Sequence, residues 1–175
     1  MKIIPLSEGS FTIDRTKVFI PFDKSTDNLQ DRATGSLLVE IQPFAIVTGQ
    51  DILLMDTGLG FHNRDGIMQI HQNLLDNGIQ PHAVTRVLLS HLHKDHAGGI
   101  QNSMLRGKLS FPNATYYVNR KEFEFASSEK SSSYVTEDFN LLESSGRLQF
   151  LVDKAWFNGY IGYNDGGGHG LFLMH

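Results

Sequence analysis

Ser90-His91-Leu92-His93-Lys94-Asp95-His96-Ala97-Gly98-Gly99 follows directly on the apolar run Val87-Leu88-Leu89. Three imidazoles and a carboxylate fall within six residues, a pattern that core packing does not ask for. Composition alone would give His-x-His-x-Asp-His in about one such chain in a thousand. Neutral imidazole nitrogens and carboxylate oxygens are the donors that a borderline divalent cation such as zinc takes. Val84 to Leu89 has the length and β-branched content of a buried strand, so the cluster sits at a strand's C-terminal end. His91 and His93, two apart there, can point to one face. The chain must then curl to aim Asp95 and His96 at the same cavity, and Ala97-Gly98-Gly99 lets it turn tightly. A loop at the mouth of a sheet can present all four groups; a helix at this spacing cannot. Sheet mouths are where α/β proteins keep their sites.

Upstream of the cluster, Gly35 to Thr48 reads as one long β-rich run, Gly49-Gln50-Asp51 as a turn, and Ile52 to Met55 as the returning strand. This hairpin stops at Asp56-Thr57-Gly58. Phe11 to Ile20 reads as an earlier strand closed by Pro21, and polar Asp23 to Thr34 as a surface loop. The spacing of Ile67, Ile70, Leu74 and Leu75 predicts a helix from about Ile67 to Asn77, with Gly78 as its stop. Downstream, Thr115 to Val118 reads as a strand and Asn119 as the N-cap of a helix through about Ala126. Ser127 to Ser133 is a polar loop, Thr136 to Glu143 an amphipathic helix ending near Gly146, and Leu148 to Val152 a strand. Strands in succession, followed by strand and helix in alternation, predict a mixed α/β (α+β) fold with a central sheet and helices outside. There is no internal repeat and no low-complexity linker, so residues 1–175 read as one domain.

Bulk properties narrow the function classes. The 175 residues are 40% apolar and 19% charged, a globular profile. A net charge of -4 gives no basic surface for nucleic acid. The absence of cysteine excludes disulfides, thiol nucleophiles and Cys-ligated metal sites. Met1 to Thr12 has no apolar stretch of signal-peptide length, and no segment approaches the ~18 apolar residues of a membrane span. The expectation is a cytoplasmic protein.

Four ligands this close could serve one metal, but adjacent Asp95 and His96 would strain a single tetrahedral shell. Two metals about 3.5–4 Å apart are the more natural solution, with His91 and His93 on one and Asp95 and His96 on the other. Such a pair shares a bridging hydroxide that is nucleophilic at neutral pH.

His91-x-His93-x-Asp95-His96 after an apolar strand resembles the signature of the metallo-β-lactamase superfamily, and Asp56-Thr57-Gly58 resembles its second landmark. Ser90 to Gly99 is most similar to the branch of N-acyl-homoserine lactonases and related hydrolases. The resemblance runs from the Gly35–Thr48 strand to His169, and it implies an αββα sandwich. It further implies that His91 and His93 bind a first metal and that Asp95 and His96 bind a second. Asp95 would also be the catalytic carboxylate that handles a proton, and Asp56 would orient a ligand imidazole from the second shell. His169, in Gly166-Gly167-Gly168-His169, would complete the first site.

The resemblance weakens after His169. The family's later bridging Asp and final His have no counterpart in Gly170-Leu171-Phe172-Leu173-Met174-His175. Much of the second half of the sandwich is therefore expected to be missing, with 1–163 matching the family and 164–175 an atypical tail. Three explanations stand: a truncated or frame-shifted product, a homodimer that completes the sandwich, or a reduced relative with one metal.

The leading functional reading is a zinc-dependent hydrolase that uses a metal-bound hydroxide on a lactone, ester or thioester carbonyl of a small molecule. The alternatives are a metal-binding but catalytically inactive protein, and an iron-dependent oxidoreductase of the same fold; iron or manganese could also replace zinc. Simpler readings hold elsewhere. His62, His71 and His82 read as surface residues, Phe19, Phe22 and Phe44 as core, His175 as a frayed terminus, and Lys94 as solvated or near the site mouth.

Overall fold

The computed structural model describes residues 1–105 and 107–151, and the backbone of 154–157 and 161–164. Its main body is a six-stranded sheet. The strands are β1 (Lys2–Pro5), β5 (Phe44–Val47), β6 (Ile52–Met55), β7 (Arg86–Leu88), β8 (Thr115–Asn119) and β9 (Leu148–Leu151), adjacent in that order. β1, β5 and β6 pair antiparallel, whereas β6, β7, β8 and β9 run parallel. A second sheet orders β3 (Ile20–Phe22), β2 (Gly9–Ile13) and β4 (Leu37–Ile41), and β10 (Lys154–Phe157) pairs with β11 (Ile161–Asn164).

Two expectations are corrected here. Gly35–Thr48 is not one strand: it divides into β4 and β5, which belong to different sheets. The break falls at Gln42-Pro43, where proline lacks the N–H that a continuing ladder needs. Phe11–Ile20 likewise ends early, because Asp14 accepts the N–H of Lys17 and turns the chain from β2 toward β3. The β5–β6 hairpin forms as expected, and β7 and β8 fall within a residue or two of their expected places.

The parallel strands are apolar on both faces, as buried parallel strands are. Leu54, Val87, Leu89, Tyr116 and Val118 share one core with Ile70, Leu74 and Phe123. The last three lie on α1 (Gln69–Asp76) and α3 (Arg120–Ser128). Leu53, Leu88, Tyr117 and Leu151 form a smaller cluster on the opposite face. Gly78 closes the first of these helices at φ 75, and the Asn119 side chain caps the second through the N–H of Lys121 at 2.8 Å, both as the sequence predicts. The expected Thr136–Glu143 helix is two short ones, α4 (Thr136–Phe139) and α5 (Leu141–Ser145), ended by Gly146 at φ 68. Among the described residues, no helix is long and apolar enough to cross a membrane.

Because β6 and β7 are parallel, their carboxyl ends open on one edge. Asp56 follows β6 and Ser90-His91 follows β7, and the N–H of Asp56 donates to Leu88 O at 2.9 Å. The fold thereby brings together two sequence motifs that lie 34 residues apart.

Candidate metal centre

His91 is buried, 1% exposed, and its ring lies 4.5 Å from that of His93 and 4.0 Å from that of His96, centroid to centroid. The chain does not stay a loop after His93. Lys94–Ala97 forms one helical turn, α2, with His93 at its N-cap, so Asp95 and His96 come from a helix start. Their partners fix the rings. His96 Nδ1 donates to Asp56 Oδ2 at 2.8 Å, and Asp56 Oδ1 accepts the N–H of Ser90 at 2.7 Å. Ser90 Oγ donates its single proton to Asp56 Oδ2 at 2.8 Å, so toward His91 Nδ1, 3.1 Å away, it can only accept. His91 therefore carries its proton on Nδ1 and its lone pair on Nε2, the tautomer that a ligand imidazole needs.

Electrostatics tighten the cluster. Burial alone would lower the pKa of His96, but hydrogen bonds and charge from Asp56 and Asp95 overcome it and hold the ring up to about 10. Asp95 would be raised by burial, yet its hydrogen bond with His96 leaves it below the usual carboxylate range. Asp95 Oδ2 faces His96 Nε2 at 3.4 Å. Among the described residues, no three His, Asp or Glu side chains converge in coordinating geometry on one point. By donor chemistry the set still suits a borderline divalent cation: three imidazoles and a carboxylate, two of the rings oriented through Nδ1. His169 and His175 lie outside the described residues.

Three contributors escaped sequence reasoning. Ser90 links Asp56 to His91. Glu122 on α3 is wholly buried, and its Oε1 accepts the N–H of Leu92 at 2.9 Å, anchoring the backbone between His91 and His93. Its signal was available, since Glu122 shares a helix face with Phe123 and Ala126. Tyr134, hydrogen-bonded to Glu122, stands edge-on to the His93 ring at 4.6 Å, and burial followed by the charge of Glu122 raises its phenol pKa. The polar segment after α3 flanks the site, with Ser133 O accepting the N–H of Lys94 at 2.9 Å. His71 is corrected from surface to half-buried, its Nε2 3.0 Å from Ser110 O and its ring against Phe111. His62 has its Nε2 buried, while His82 is exposed as expected. Phe22 is core, but Phe44 is 37% exposed and Phe19 lines a cavity beside His93.

Residues 40–170 match the family model of the metallo-beta-lactamase superfamily. The chain belongs to that superfamily. Among curated relatives, the N-acyl homoserine lactonase AttM of Azorhizobium caulinodans is 39% identical over 77 residues, 42% of this chain and 26% of the relative. AttM of Agrobacterium fabrum is 36% identical over 92 residues, 51% of this chain and 31% of the relative. The chain thus matches about a quarter to a third of these relatives' length. Among solved structures, a probable metal-dependent hydrolase from Staphylococcus aureus aligns with TM-score 0.76 and 22% identity, over 99% of this chain and 66% of that one. AidC, a dizinc quorum-quenching lactonase, aligns with TM-score 0.74 and 22% identity, over 98% of this chain and 65% of that one. The superfamily's fold therefore extends over nearly the whole of this chain, which spans about two thirds of these neighbours.

Proposed function

We propose that this superfamily member is a metal-dependent hydrolase of the lactonase-like branch, acting on a lactone, ester or thioester carbonyl of a small molecule. His91, His93, Asp95 and His96 would hold the cation, zinc in the first instance, and His169 would complete the first site. Bound there, the cation supplies Lewis acidity toward a carbonyl oxygen and lowers the pKa of water. The chain's own residues supply orientation. Asp56 holds His96 through Nδ1, Ser90 sets the tautomer of His91, and Glu122 fixes the backbone between His91 and His93. Asp95 lines the adjoining cavity and would be the carboxylate that takes a proton from the reacting groups. The observation that carries this reading is the Asp56–Ser90–His91 and Asp56–His96 hydrogen-bond chain, which orients two rings by their Nδ1 atoms.

The reading is supported by lactonases among the relatives and by the dizinc character of AidC. Elemental analysis combined with a lactone and ester panel tests it. Bound zinc with turnover is expected. Zinc without turnover would favour a silent metal-binding protein, and a coloured, iron-loaded preparation would favour the oxidoreductase alternative.

A further inference from the structure

Two described non-glycine residues have positive φ: Asp56 at 59 and Lys17 at 58. The left-handed region costs an L-residue with a Cβ free energy, and such residues concentrate where function requires them. Asp56 belongs to the proposed metal centre. Lys17 lies between β2 and β3, far from it in sequence, yet lines a cavity of about 130 Å³ together with His93, Lys94 and Asp95. Ile13, Phe19, Leu37 and Val39 supply its apolar wall. Phe19 is set edge-on against Phe11, 6.1 Å between centroids, which fixes one side of that wall. Lys17 closes its own turn, with its N–H on Asp14 O at 3.0 Å, and makes no ion pair among the described residues. The acidic groups nearby have other partners. Asp95 faces His96, and Asp14 accepts from Thr16. Lys94, half-buried in the same cavity, has Asp138 as its acidic neighbour. The cavity therefore pairs a short apolar wall with a lysine that makes no ion pair among the described residues, next to the proposed reacting site.

We propose that this cavity selects substrates whose short apolar arm ends in an anion, with Lys17 as the specificity-determining cation and Lys94 in support. The inference rests on the hydrolase reading for what happens to the substrate, but its binding half can be tested alone. An apolar arm would fill the wall made by Ile13, Phe19, Leu37 and Val39. Its anion would meet a point charge on a flexible stem, which accepts a carboxylate, sulfate or phosphate alike.

Butanoate and butanamide, matched in length and differing in charge, are titrated against the full chain by NMR, both zinc-saturated and after chelation. Butanoate is expected to bind about ten-fold tighter in both states. Lys17→Gly suits the left-handed turn, so it should melt at or above the wild-type temperature while bringing the ratio near one. Should that variant fail to fold, Lys17→Asn keeps the turn and removes the charge. Equal binding of the two probes by wild type, or a ratio unchanged in the folded variant, would overturn the proposal. Direct capture of the carboxylate by zinc would appear as a preference that vanishes on chelation and survives Lys17→Gly, and that result also overturns it. Failure of the hydrolase reading registers separately, as absence of bound zinc or of turnover.

Discussion

Asp56 combines a costly backbone with a full set of partners. Its carboxylate accepts from Ser90 N, Ser90 Oγ and His96 Nδ1, and charge-assisted bonds of this kind offset the left-handed φ. Asn tolerates that φ, so Asp56→Asn should fold while losing the charge that orients His96. Zinc affinity is expected to fall 10- to 100-fold, measured by competition with a chelator. An unchanged affinity would remove Asp56 from the site. Glu8 gives a pH prediction. Burial raises its pKa to about 7, although its Oε2 accepts the N–H of Leu59 at 2.7 Å. The folded state therefore holds this proton more tightly than the unfolded chain does. The contribution is complete below the ordinary value of 4.5 and is lost as pH climbs through about 7. Stability should fall by up to roughly 3 kcal/mol over that window, and Glu8→Gln should flatten the fall in urea unfolding at pH 5 and pH 8. A slope identical to wild type would contradict it. At this scale the sequence displayed the donors but not their supports. Asp56 was legible because Asp56-Thr57-Gly58 at a hairpin end resembles a landmark of the superfamily, whereas Ser90 acts through its hydroxyl on the distant Asp56 carboxylate, and Glu122 and Glu8 through backbone N–H groups distant in sequence.

The elements around the site are held by close backbone approach. The N–H and Oγ1 of Thr57 donate to His96 O at 2.7 and 2.9 Å, tying the turn after β6 to α2. A Cβ on Gly99 would lie 2.2 Å from Thr57 O, so the two segments can meet only because Gly99 has none. Gly99→Ala should cost about 2–4 kcal/mol by forcing these backbones apart. Gly49→Ala, at an exposed turn with open space around it, should be nearly neutral. Thermal unfolding of the two variants checks this, and equal melting temperatures would contradict the close-packed junction. Helix positions were legible from apolar spacing and caps. The β4–β5 division was not, because strand periodicity says nothing about which sheet a strand joins, and only Pro43 hinted at a break. The short α2 was hidden by the His-rich stretch itself, whose side chains follow ligand chemistry and not helical amphipathicity.

At the scale of the whole molecule, parallel pairing of β6 with β7 converts two motifs into one site, and the superfamily's fold covers nearly the whole chain while the chain spans about two thirds of its structural neighbours. A cation that binds only the folded state stabilises it by about 2.7 kcal/mol at a hundred times its dissociation constant. Saturating zinc should accordingly raise the melting temperature by roughly 5–10 °C, and a chelator should reverse the rise. The fold class was legible because a His- and Asp-rich stretch resembling the superfamily's signature sat at the end of an apolar strand. His169 was read from the family resemblance, as the match for a ligand carried on a glycine-rich loop, and lies outside the described residues. The most direct measurement is the zinc content of the purified chain beside its His93→Ala and Lys94→Ala variants. The account predicts at least one equivalent in wild type, a sharp loss in His93→Ala and retention in Lys94→Ala. Less than a tenth of an equivalent in wild type, or equal retention in both variants, would contradict it.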